Sequence, residues 1–268
     1  MAKAKERIDL LLVEQGLVQS REKAKAAILA GLVRADGVRV DKPGVEVSPL
    51  SKLEVQGPSC PYVSRGGLKL EKALQVFPLD LKEKVVLDVG ASTGGFTDCA
   101  LQNGAEKVFA VDVGYGQLAW SLRTNPKVVC LERTNARYLG YSNLGEYVDF
   151  VTIDVAFISL DKILPALKGL VKPENNIVAL IKPQFEAGKD KVGKKGVVKD
   201  PGVHKEVLLR VLGYAAGNTF RILGLDFSPV KGPEGNLEYL AWLSYGPGPS
   251  IDWASLVDEV VAKSHSSL

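Results

Sequence analysis

The spacing of apolar residues changes character along the chain. Over the first thirty positions it is helical: Ile8, Leu11 and Leu12 share one face of a stretch that stops at Gly16. Ala24, Ala27 and Ile28 share a face of a second stretch that opens at Ser20 and closes at Gly31. LVRADGVRVDKPGVEV then alternates about Asp36-Gly37, which predicts a hairpin. GPSCPYV, with Pro58 and Pro61, reads as a short semi-rigid linker, and SRGGLKLEKALQVF as a helix packed through Leu68, Leu70, Ala73, Leu74 and Phe77. From residue 85 the pattern becomes short continuous apolar runs separated by amphipathic stretches. These predict strands at 85–89, 107–113, 128–132, 148–154 and 177–182, with helices near 116–124, 159–171 and 203–218. Two last runs, RILGLDFSPV and LEYLAWLSY, have only KGPEGN between them and are expected to pair antiparallel, with SIDWASLVDEVVAKSH as a closing helix. The predicted organisation is a small α+β domain over 1–59, a linker over 60–63 and an α/β domain over 64–268, with five parallel strands plus an antiparallel pair in a seven-stranded, Rossmann-like sheet.

Composition narrows the class without naming a function. The 268 residues are 46% hydrophobic and 24% charged, with a formal net charge of +3, as in an ordinary globular protein. Cys60, Cys99 and Cys130 are scattered and odd in number, which points to a reducing compartment rather than a disulfide framework. His204 and His265 are far apart and no cysteine lies at ligand spacing, so no metal site is expected. MAKAKERIDL has no apolar signal core and no run approaches the length of a membrane span, so the expected location is cytoplasmic.

The chemistry centres on residues 85–113, VVLDVGASTGGFTDCALQNGAEKVFAVDV. Strand, glycine-rich loop, helix and second strand ending near Asp112 form a unit that binds ligands across the carboxyl ends of its strands, the acid accepting from ribose hydroxyls. A dinucleotide fingerprint needs glycine at the third place of the loop, where this chain has Ser92, so NAD is disfavoured. DVGASTGGF instead resembles motif I of class I S-adenosylmethionine (SAM) methyltransferases. That resemblance implies a loop of Gly90, Ala91, Ser92, Thr93, Gly94, Gly95 and Phe96 around the methionine side of SAM, with Asp112 on its ribose. By analogy with family positions, Asn135 in ERTNARYL is expected near the adenine edge.

Residues 7–47 resemble, without a gap, the RNA-binding domain shared by ribosomal protein S-four, many pseudouridine synthases and tyrosyl-tRNA synthetases. The resemblance implies that Arg7, Arg21, Lys23, Lys25, Arg34 and Arg39 face RNA, chiefly its phosphates, and Arg65 is expected to join them. A solvated basic face remains the alternative, better suited to Lys25 than to Arg21. Further on, PQFEAGKDKVGKKGVVKD carries Lys189, Lys191, Lys194, Lys195 and Lys199 among three glycines. It is expected to be a mobile loop beside the cofactor mouth, either merely solvated or able to clamp RNA phosphates.

Strand ends on one rim of a parallel sheet converge, so Asp154, Lys182 and Glu238 can meet. With Lys69 they form the order K, D, K, E, which resembles the tetrad of FtsJ-like RNA ribose 2′-O-methyltransferases. With the S-four domain, and with SRGGLKLEKAL, TIDVAFISL, LIKPQFE and GPEGNLEY, nearly the whole chain resembles the TlyA family of rRNA cytidine 2′-O-methyltransferases, which also carry the name hemolysin. This implies SAM as cofactor and ribosomal RNA or ribosomal subunits as partner. An ordinary lysine keeps its proton at pH 7, and the two carboxylates strengthen that hold. Lys182 is therefore expected to orient the 2′-hydroxyl and accept its proton late, with Asp154, which can also touch SAM, and Glu238 holding the two lysines. Two other readings stay open: a membrane-active hemolysin, and an RNA-binding scaffold whose methyltransferase domain is inactive.

Overall fold

The computed structural model describes residues 5–18, 20–29, 31–55 and 60–268. Residues 57–59 of the expected linker lie outside the described residues. The chain divides into two compact units, 1–65 and 66–268.

In the first unit, helices Ile8–Glu14 and Arg21–Leu29 pack through Ile8, Leu11, Leu12, Ala24 and Ile28 onto Val33 and Leu53 of a three-stranded sheet. Strand Val33–Ala35 pairs antiparallel with both Val38–Val40 and Leu53–Val55. The hairpin turns at Asp36 and Gly37, whose φ values of 51° and 79° are the left-handed pair that a two-residue turn needs. Glu46–Val47 leaves this sheet and pairs with Glu6–Arg7 instead. Asp9 is fully buried, and accepts from the Nε atoms of Arg7 and Arg21, each at 2.9 Å. These bonds, Arg7 foremost, outweigh the opposing effect of burial and hold the Asp9 carboxyl at about 2. The stability they supply is present above the ordinary carboxylate range and is lost as pH falls towards 2.

The second unit is a seven-stranded sheet: β1 (Val85–Val89), β2 (Lys107–Val111), β3 (Val128–Leu131), β4 (Val148–Ile153), β5 (Val171–Ile181), β6 (Phe220–Phe227) and β7 (Tyr239–Tyr245). Their order is β6-β7-β5-β4-β1-β2-β3. Strands β1 to β5 run parallel to one another, and β7 lies antiparallel between β5 and β6. Helix α1 (Gly67–Val76) precedes the sheet; α2 (Gly95–Gln102) follows the glycine loop; α3 (Pro201–Gly217) and the closing α4 (Trp253–Ser267) pack on each other and on β6. The apolar faces of these elements supply a core that includes Leu87, Phe109, Val151, Ile177, Leu208, Phe220 and Leu243.

Three expectations change. The helix predicted at 159–171 shrinks to Leu160–Lys162 and Leu164–Leu167, because Pro165 lies in the first turn of the second piece and the chain then turns into β5. That strand starts at Val171 rather than 177, its polar KPENN stretch accommodated by a register shift between Val171 and Asn176. The helix predicted at 116–124 is confined to Trp120–Arg123.

Candidate active site

Three strand ends and one helix bring the predicted tetrad together. Asp154 directly follows β4, Lys182 follows β5, Glu238 precedes antiparallel β7, and Lys69 stands in the first turn of α1. Lys69 Nζ lies 2.7 Å from Glu238 Oε2 and 3.4 Å from Asp154 Oδ2, while Lys182 Nζ lies 2.5 Å from Asp154 Oδ1. The result is one chain of alternating charges, Lys182, Asp154, Lys69, Glu238, with Glu238 only 1% exposed. Burial by itself would weaken the hold of Lys69 on its proton, but Asp154 and Glu238 outweigh it and raise its pKa above the ordinary lysine value. Burial likewise pushes Asp154 up, and the two ammonium groups more than offset that, leaving its carboxyl below the usual range. Lys69 is thus fixed as a cation between two anions. Among the described residues Lys182 touches one carboxylate only, so its ammonium has hydrogen-bonding capacity left for a further group.

The glycine loop backs directly onto this chain. Gly90 has φ 87°, and a Cβ there would stand 2.5 Å from the carbonyl oxygen of Asp154; the Asp154 N–H in turn donates to Val89 O at 2.9 Å. Gly94, at φ 98°, opens α2, and a Cβ on it would meet Leu122 Cδ1 at 2.3 Å. Ser92 and Thr93 are exposed, whereas Ala91, Gly94, Gly95 and Phe96 are buried. The Phe96 side chain is 3% exposed. Asp112 accepts from Ser92 N at 2.8 Å and Gly114 N at 2.7 Å, which fixes a part-exposed carboxylate beside the loop with acceptor sites to spare. A backbone-lined loop next to a carboxylate suits a nucleoside carrying a positive charge, so these residues fit SAM. Asn135 is half-buried, and its Oδ1 caps the turn Ala136–Tyr138 through Arg137 N at 3.1 Å, a local structural task.

Several contributors escape a reading by sequence motif. Asp88, fully buried, accepts from Thr97 Oγ1 of α2 at 2.6 Å and from Thr152 Oγ1 of β4 at 2.9 Å, tying together the two segments that carry the loop and Asp154. Burial pushes Asp88 up to about 6. In folded protein it therefore keeps a proton that the unfolded chain has lost, and stability falls as pH rises from about 4 to about 6, by an amount on the order of 2–3 kcal/mol. Asp88→Asn is expected to flatten that slope in thermal melts across pH 4–7; an unchanged slope would assign the titration elsewhere. Gln184 Nε2 donates to Glu238 Oε1 at 3.3 Å, and Gly232 leaves room for the same carboxylate, since a Cβ there would lie 2.3 Å from Oε1. Glu186 accepts from Ser159 Oγ at 2.6 Å, Leu160 N at 2.8 Å and Arg210 Nη2 at 2.7 Å, binding the loop after β4 to the segment after β5. Within that loop Phe157 is 91% exposed at φ 61°, its ring 4.8 Å from that of Phe185. An exposed aromatic in a left-handed conformation three residues beyond Asp154 is a platform for a planar group.

In the first unit, Arg7 and Arg21 are brought together by Asp9. Arg34 donates to Gly37 O at 2.8 Å across the hairpin turn, and Gly31 leaves the space that the Arg39 guanidinium fills. Lys25 and Arg65 are exposed and Lys23 is half-buried. Among the described residues no group of His, Cys, Asp and Glu could hold a metal, and no helix is long and apolar enough to cross a membrane.

Comparison with known proteins agrees with this anatomy. Residues 62–245 match the FtsJ-like methyltransferase family and residues 6–49 match the S4 domain. The chain is 51% identical, over 100% of its length and 97% of the relative's, to a candidate rRNA methyltransferase, YqxC, of Bacillus subtilis. It is 46% identical, over 95% of each chain, to the 16S/23S rRNA (cytidine-2′-O)-methyltransferase TlyA of Mycobacterium tuberculosis. A solved structure from Streptococcus thermophilus, described as a candidate hemolysin, superposes with a TM-score of 0.80 at 46% identity, covering 98% of this chain and 96% of that one. The chain belongs to the FtsJ-like methyltransferase family, in the branch whose catalytic domain follows an S4 domain.

Proposed function

We propose that this protein transfers a methyl group from SAM to a ribose 2′-hydroxyl of ribosomal RNA, at cytidine. The observation that carries the reading is the juxtaposition at Asp154: its backbone closes against the glycine loop, and its carboxylate anchors Lys182 on the same rim. A bound SAM supplies a methyl group on a cationic sulfur that is already a good leaving group. What the chain must add is a hydroxyl held in line and a place for its proton.

Gly90, Ser92, Thr93, Gly94 and Asp112 hold the cofactor. Lys182, once it has released one ammonium proton to solvent, points its amine lone pair at the 2′-hydroxyl and takes up the hydroxyl proton as the new C–O bond nears completion. Asp154 fixes Lys182, and Lys69 bridges Asp154 and Glu238 and holds them in register without itself exchanging a proton. Phe157 offers a face to an unstacked base at the reaction rim. The S4 domain delivers structured rRNA through Arg7, Arg21, Lys23, Lys25, Arg34 and Arg39, and Arg65 adds a further cation. Support for cytidine in rRNA comes from the named activity of the mycobacterial relative. The test is incubation of the protein with methyl-labelled SAM and purified ribosomal subunits or their naked rRNAs. Label in rRNA is expected; label in none, with SAM binding intact, would leave an inactive RNA-binding scaffold.

A further inference from the structure

Between Lys182 and α3, and again between β6 and Glu238, the chain forms the two walls of an open groove of about 840 Å³. Lys191, Lys194, Lys195, Lys199 and Lys231 line it, with His265 at its edge. Lys191 is engaged by Glu206 at 2.5 Å, whereas no carboxylate lies within ion-pair distance of Lys194, Lys195, Lys199 or Lys231 among the described residues. Two acids also face the groove: Asp200, which caps α3 by accepting from Gly202 N at 2.8 Å, and exposed Glu234. The lysines outnumber them, and the field in the groove is positive.

The walls are tied together by hydrogen bonds. Asn236, buried, accepts from Val198 N at 3.1 Å and donates to Gly196 O at 2.9 Å, while His204 Nε2 lies 3.0 Å from Val198 O. Gly193 N donates to Val197 O at 3.1 Å and closes the turn. Long cationic side chains thus stand on a backbone tied to buried Asn236, which lies two residues before Glu238. Among the described residues no Phe, Tyr or Trp lines the groove, and its one imidazole, His265, lies against His204 with Nε2 3.1 Å from His204 Nδ1, so the lining favours backbone over base. An open, positive, base-indifferent channel suits a sugar-phosphate backbone.

We propose that this groove holds phosphodiesters of the substrate strand next to the methylated ribose, a second RNA anchor separate from the S4 domain. The inference rests on the RNA methyltransferase reading and names how its catalytic domain grips the substrate. The test uses the full-length protein with Lys194, Lys195, Lys199 and Lys231 all changed to Ala, and a companion with all four changed to Arg. Binding of rRNA is measured over a series of KCl concentrations, together with methyl transfer, SAM affinity and melting temperature. The alanine variant is expected to lose about one from the slope of log K against log salt for each phosphate contact removed, two to four in all. Its KM for RNA should rise about tenfold or more, with kcat at saturating RNA, SAM affinity and melting temperature near wild type, and the arginine variant should restore the slope.

An unchanged slope and KM in a folded alanine variant, while the wild type methylates rRNA, would overturn the groove and spare the functional reading. A wild type that labels no RNA would instead overturn that reading, with the salt slopes still reporting on the groove. Inorganic phosphate binding that depends on these lysines, with RNA affinity unaffected by their loss, would make the groove a small-anion site and refute the proposal.

Discussion

Lys182→Ala is expected to lower methyl transfer to rRNA by about 10²–10⁴-fold while leaving SAM affinity within about threefold of wild type. The separation follows from the geometry: Lys182 touches the Asp154 side chain, and the glycine loop reaches only the Asp154 backbone. Single-turnover transfer at saturating SAM, beside calorimetric titration of SAM, measures both quantities. A variant that can no longer bind SAM would move Lys182 into the cofactor site. Lys182→Arg divides its task further, since a guanidinium can donate to the 2′-oxygen but does not give up a proton near neutral pH. Loss of transfer in that variant, with RNA and SAM still bound, is expected if accepting the proton is the essential step. Substantial activity would reduce Lys182 to an orienting donor.

Removing residues 1–59 should cut affinity for rRNA by up to about 10³-fold near 0.15 M salt, and by much less at high salt. The figure follows from six phosphate contacts at roughly 0.7 in the salt slope for each, a combined slope of about four. The second unit has its own sheet and core, so SAM binding is expected to persist in the truncated chain. Filter binding at several salt concentrations gives both affinity and slope; an affinity equal to that of the full chain would remove the delivery role of the S4 domain. Arg7 and Arg21 need separate treatment because both lean on buried Asp9. Asp9→Asn is expected to loosen the first unit by roughly 1.5–3 kcal/mol, the range for hydrogen bonds to a charged group, and so to weaken RNA binding without touching any RNA-facing residue.

Much of the architecture is legible in local pattern because the sheet is built from short apolar runs bounded by glycines and polar turns. Val85–Val89, Val128–Leu131 and Val148–Ile153 are strands for that reason, and Asp36-Gly37 is a turn for another. The pattern fails where tertiary pairing overrides it. The segment 171–176, with Pro173 and Glu174, lies outside the apolar run that predicts the strand, yet it begins β5, with an irregularity in its pairing with β4. Spacing alone could place Asp154, Lys182 and Glu238 on one rim, but their specific order with Lys69 gained meaning only from a family resemblance. Buried supports were illegible for a different reason: Asp88 and Thr152, or Asn236 and Val198, are partners across 64 and 38 residues, and nothing local marks them. The lysine-rich segment is similar: its ties to Asn236 and His204 come from residues far along the chain, and its own glycines do not announce them.

The central claim, transfer to the ribose rather than to a base, is tested most directly by mapping the product. Ribosomal RNA labelled by the wild-type protein and by Lys182→Ala is subjected to partial alkaline hydrolysis, and the labelled nucleosides are identified by mass. A 2′-O-methylated cytidine that blocks cleavage at its own linkage, formed by the wild type and missing from the variant, is the predicted result. Methyl groups found only on bases, with every linkage still cleaved by alkali, would contradict the assignment of the tetrad to a 2′-hydroxyl.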